Sequence, residues 1–141
     1  MKQLLMAVFL FSSLASCKKD DDDKPECTLN VSSVSGTYTI SSYLYKESSS
    51  SPEVDQMPDT EPCERDDTFT FNSNGQYLFE DAGVLCDGPE SVDGSWSLSG
   101  NNLILDDETV PVKKFDCKQL VLEFHDTYVT GDRSTLTFNK R

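Results

Sequence analysis

Chemistry in this 141-residue sequence could reside in its cysteines, in its single histidine and in a run of acidic residues. Cys27, Cys63, Cys86 and Cys117 are spaced too widely for a zinc site, whose ligands recur roughly two to four residues apart, and only His125 could join them. Four thiols in an oxidising compartment instead read as two disulfides, with three pairings open. His125 precedes Asp126, as in part of a nucleophilic constellation, yet no serine occupies a strand-to-helix elbow. A lone histidine at a strand end is expected on the surface. Asp106-Asp107-Glu108 lacks the alternating order of a calcium loop and reads as a solvated turn. The expectation is no enzyme, no metal and no cofactor.

Cys17 has a different context. Lys2 precedes an apolar stretch from Leu4 to Leu14, too short for a permanent span, and small residues follow it. Leu14-Ala15-Ser16-Cys17 resembles the lipobox of bacterial lipoproteins. That resemblance implies a signal peptide over residues 1–16 and lipidation of Cys17, which becomes the mature N-terminus. Several acyl chains at about 0.8 kcal/mol per buried CH2 then anchor the protein to its membrane. The run Lys18-Lys19-Asp20-Asp21-Asp22-Asp23-Lys24-Pro25 offers a core almost nothing to bury and reads as a spacer. It is similar to the lysine-plus-acidic run of surface-exported lipoproteins of Bacteroidota, which implies an outer-membrane, cell-surface location. Residues 17–33 are assigned to the anchor and tether, and residues 34–141 to one domain.

The net charge is −13, from 25 acidic and 12 basic residues. Such a surface repels phosphate backbones, and no basic patch interleaved with aromatics offsets it, so nucleic acid is excluded as a partner. A protein partner or a small apolar ligand remains.

The domain is patterned for strands. Along 36–46, Tyr38, Ile40 and Leu44 alternate to one face, with Tyr43 and Tyr45 opposite. Glu47 to Pro62 is rich in serine and proline and reads as a long loop. Thr68–Phe71 and Gln76–Phe79 flank a turn with Gly75, and a glycine-bulge loop pairs Phe71 with Tyr77 and Phe69 with Phe79. A second hairpin across Ser99–Asn102 sets Leu98 opposite Leu103 and Trp96 opposite Leu105. Strands are expected at 36–46, 67–72, 76–82, 92–98, 103–106, 109–115, 119–125 and 133–139. Eight such strands in a meander close most simply into an all-β, antiparallel up-and-down barrel, which leaves no exposed edge.

Gly36-Thr37-Tyr38, the run from Cys63 to Tyr77, Cys86 and Gly94-Ser95-Trp96-Ser97-Leu98 together resemble the lipocalin-like domains of Bacteroidota lipoproteins. The resemblance implies a barrel whose mouth holds a small apolar ligand. Tyr38 stands where lipocalins proper carry tryptophan, and Lys140 or Arg141 offers the late basic residue that packs on it. Candidate lining residues are Tyr38, Phe69, Phe71, Tyr77, Phe79, Trp96, Leu98 and Leu105, all equally compatible with a filled core. A filled barrel would favour protein–protein contact instead. Extending the first hairpin brings Cys63 close to Cys86, which leaves Cys27 for Cys117.

Overall fold

The computed structural model describes residues 27–88 and 90–141. The expected signal peptide, Cys17 and the acidic run lie outside the described residues.

Nine strands follow one another: β1 Gly36–Lys46, β2 Val54–Asp55, β3 Thr68–Phe71, β4 Gln76–Glu80, β5 Ser91–Ser99, β6 Asn102–Leu105, β7 Glu108–Phe115, β8 Gln119–His125 and β9 Arg133–Lys140. All but β2 pair antiparallel with their sequence neighbours, and β9 returns to β1, so eight strands close into a barrel. Closure leaves none of those eight with an open ladder edge along its whole length. The β1 strand is long enough to need three partners. Its first residues pair with β3, its last with β2, and its other edge with β9. The 47–62 segment is therefore no featureless loop: Val54 and Asp55 extend the wall where β3 stops short.

Both hairpins take the expected registers. Phe71 faces Tyr77 and Phe69 faces Phe79, while Gly75 takes φ +85° and donates to the Asn72 carbonyl at 3.0 Å. A left-handed residue with no Cβ lets this turn close without strain. Trp96 faces Leu105 and Leu98 faces Leu103, with the ladder carried one pair further to Ser99 and Asn102.

One end of the barrel is closed. Helix α1 (Val31–Val34) caps it, with Asn30 and Ser33 exchanging side-chain to backbone hydrogen bonds. The fully buried Val34 accepts a hydrogen bond on its carbonyl from the Tyr38 hydroxyl at 2.6 Å. Residues 27–33, grouped by composition with the tether, thus pack onto the barrel. Tyr38, Phe71, Trp96, Leu103, Val110 and Leu120 fill the interior above this cap. Lys140 is the late basic residue: its Nζ lies 5.7 Å from the Tyr38 ring centroid and donates to the Ser33 carbonyl at 2.7 Å. Gly36 makes room for it, since a Cβ there would strike the Lys140 methylenes.

Two disulfides staple opposite ends. Cys27–Cys117 ties the segment before α1 to the β7–β8 turn at the closed end. Cys63–Cys86 joins α2 (Pro62–Arg65) to the β4–β5 connection at the other.

Candidate functional site

The open end begins with a fault in β1. Ile40 pairs with Phe138 and Ser42 with Thr137, so Ser41 is an extra, bulged residue. A bulge inverts the alternation beyond it. Tyr43 and Tyr45 consequently turn to the inside and Leu44 to the outside, the reverse of strict period two from Tyr38. The expectation for this half of the strand is corrected for that reason.

Above the filled core, the inverted half of β1 and the upper parts of β3, β8 and β9 surround a cavity of about 290 Å3. Phe69, Phe124, Phe138 and Leu136 form apolar walls, and Tyr43, Thr127, Tyr128 and Ser134 complete the lining toward the rim. Phe69 packs edge-on to Phe138 at 5.1 Å between centroids. The space lies at the small end of ligand pockets, which start near ~300 Å3.

Tyr128 overhangs the mouth from the β8–β9 connection. Its hydroxyl is 2.7 Å from that of Tyr43, and its ring meets Tyr45 edge-on at 5.5 Å. The Tyr43 hydroxyl and burial push the Tyr128 phenol up to about 12. Asp132 shapes this overhang from below. Its buried carboxylate accepts from the backbone N–H of Thr127 (2.7 Å), Tyr128 (2.8 Å) and Val129 (3.0 Å), and from the Tyr45 hydroxyl at 3.1 Å. Burial works against ionisation, but these four donors outweigh it and hold the carboxyl below its usual range.

Ser134, two residues further, is only 1% exposed and its Oγ has no hydrogen-bond partner. It belongs to the cavity lining. A buried hydroxyl without a partner costs about 1–3 kcal/mol, so its retention in this wall needs an explanation.

The residues nominated from sequence divide between the two ends. Phe69 lines the cavity, with Phe79 behind it at 5.0 Å. Tyr38, Phe71 and Trp96 lie in the closed-end core, where the Trp96 indole donates to the Asn72 carbonyl at 2.8 Å. Tyr77 turns its hydroxyl to Asp106 at 2.9 Å, and Leu98 and Leu105 are half-buried against the same core. Alternation in β8 and β9 puts Phe124 on one face with Leu120 and Leu122, and Leu136 on one face with Phe138. No pattern signalled Tyr128 or Ser134, which the connection and the buried Asp132 bring into place.

The rim opposite is stapled and acidic. Asp66, Asp67 and Asp81 accept backbone N–H groups of Val84, Ala82 and Cys86 and so fold the β4–β5 connection down. Burial, then neighbouring carboxylates, push the Asp67 carboxyl up despite its Ala82 donor. Glu61 lies beside Cys63 and Cys86, but sulfurs joined to each other are not thiolate ligands. His125 stands exposed at the end of β8, 3.1 Å from Glu123.

Over residues 34–121 the chain matches the family described as the lipocalin-like domain. The chain belongs to that family. No curated protein matches it. The match to the lipocalin-like domain covers Tyr43 and Phe69 but stops within β8, before the other cavity residues. Most of this domain's mouth is therefore built by residues beyond the matched segment.

Proposed function

We propose that the protein is a lipid-anchored, exported binding protein whose barrel mouth takes up one small, largely apolar molecule. The carrying observation is the apolar cavity of about 290 Å3 with a single buried, unpartnered hydroxyl. Barrel mouths are frequent ligand sites, and an apolar wall with few polar groups is their usual composition. Anchoring rests on the lipobox-like Leu14-Ala15-Ser16-Cys17 and on the lack, among the described residues, of a helix long and apolar enough to cross a membrane. A binding rather than catalytic role is supported by the absence of a nucleophile–base pair among the described lining residues.

A second reading, a protein–protein module, is favoured by Val84 and Leu85, 63% and 60% exposed on the stapled rim loop. The two separate by extraction. Small molecules released on denaturing the native protein are compared by mass spectrometry with those from Leu136→Trp, which fills the cavity. A molecule near one per chain, lost in the variant while its melting temperature holds, supports the container. Release of nothing by either protein, with a co-purifying polypeptide lost on Leu85→Glu, would move the function to the rim.

A further inference from the structure

Resting on the container reading, we infer that the molecule held is a hydrophobic organic cation, an amine or quaternary ammonium carrying an aromatic or aliphatic group. Five aromatic side chains, Tyr43, Phe69, Phe124, Tyr128 and Phe138, contribute to the small cavity. Aromatic faces are negative, and an aromatic-rich lining attracts weakly hydrated cations more than a plain aliphatic one does. No lysine or arginine is among its described lining residues.

The charge around the mouth is mixed but acidic in balance: Lys46 pairs with Arg133 at the mouth ends of β1 and β9, and the two connections there carry an excess of carboxylates. Residues 47–67, which cross the mouth end, hold eight carboxylates against Arg65 alone, and residues 80–90 hold four with no basic residue. By contrast, Lys114, Lys118, Lys140 and Arg141 lie toward the closed end, with Asp116 beside Lys114, whereas Lys113 reaches Glu123 farther along β8. A mouth with an excess of one sign of charge concentrates the opposite sign at its opening. An anionic amphiphile such as a fatty acid would meet a rim acidic in balance despite Lys46, Arg65 and Arg133, and no lysine or arginine among the described lining residues.

Ser134 supplies the second, independent sign. Its Oγ is buried, unpartnered and in the cavity wall. The oxygen is closed off from the cavity as it stands, and an ammonium N–H that displaced its neighbours would satisfy it by donating to it. Behind it, the Asp132 carboxylate is kept ionised by four donors, one being Tyr45, whose Cα pairs with that of Ser134. A fixed negative charge two residues away raises the return on a cation there without exposing a carboxylate to the ligand.

Three probes of nearly one shape decide the matter: benzyltrimethylammonium, its neutral carbon isostere neopentylbenzene, and N,N-dimethylbenzylammonium, which adds one N–H donor. Each is titrated calorimetrically into the full chain at low and at high salt. The expected result is that benzyltrimethylammonium binds at least tenfold tighter than neopentylbenzene and weakens with salt. Dimethylbenzylammonium should bind tighter still, and Ser134→Ala should erase that last increment alone. Equal or tighter binding of neopentylbenzene overturns the cation while leaving the container reading in place. Binding of none of the three overturns the cation as well, and the extraction experiment then reports separately on the container.

Discussion

Asp132 concentrates more consequence than any other single side chain. Its carboxyl is held below its ordinary value, near 3.8, because three backbone N–H groups and Tyr45 outweigh the burial that opposes ionisation. A folded pKa below the unfolded one contributes stability that is present above the unfolded value and lost as pH falls through the folded one. Asp132→Asn is accordingly expected to lower the melting temperature at pH 7, with the gap to the native protein closing as pH drops toward 3. Thermal melts across that range check it. Tyr38 is the mirror case: burial pushes its phenol up to about 12, so its contribution is intact below 10 and fades as pH rises through 12. Tyr38→Phe should remove that alkaline limb and cost ~0.5–1.5 kcal/mol at neutral pH for the lost bond to the Val34 carbonyl. Trp96 is core, 4% exposed, so Trp96→Ala should cost ~3–5 kcal/mol in urea melts, and its emission should ignore cavity ligands. Its inward direction was legible from the hairpin register, but its height in the barrel was not. Register fixes which face a side chain takes, whereas the boundary between filled core and open space depends on how all eight strands stagger.

At the scale of elements, local turn chemistry proved sufficient for the hairpins and insufficient for β1. Gly75 and the aromatic alternation leave one register for β3 and β4, because a slip would scatter four aromatics over two faces. In β1 a single bulged Ser41 moves Tyr43 and Tyr45 inside, and nothing in Ser41-Ser42 distinguishes it from an ordinary strand pair. The bulge is imposed from across the ladder, by the need to match β9. The disulfides offer an element-level test. By loop-closure entropy the bridge with separation 23 is worth ~3.4 kcal/mol and the bridge with separation 90 ~4.6 kcal/mol. Replacing Cys27 and Cys117 by alanine should thus lower the melting temperature more than replacing Cys63 and Cys86. Ligand affinity should follow the opposite order, since only Cys63–Cys86 braces the rim. Calorimetric melts and titrations on the two double variants read both quantities.

For the whole molecule, the strand count and closure followed from eight alternating segments in a meander, and membership of the lipocalin-like family accords with them. What composition alone concealed is that the charge is unevenly spread along the barrel, with an excess of carboxylates in the connections around the mouth, where Lys46 and Arg133 also lie, and several basic residues toward the cap. The proposed anchor is tested at this scale as well. Cys17→Ala should move the protein from the membrane to the soluble fraction while its melting temperature stays unchanged, because the described core is built from residues between Leu29 and Phe138. Membrane pelleting of the alanine variant in detergent-free buffer would sink the lipoprotein reading.

The Cys27–Cys117 bridge, introduced as a staple, also acts as a compass. It fixes the chain's emergence from the barrel at the capped end, beside the β7–β8 turn. With Cys17 lipidated, ten residue steps reach at most ~36 Å from bilayer to bridge. In the proposed lipid-anchored protein the cap would stay within that leash of the lipid headgroups, and the mouth, at the other end of the barrel, would face away from them. On that proposal a solute arriving from the medium would meet the opening first and would not have to pass between protein and membrane to enter.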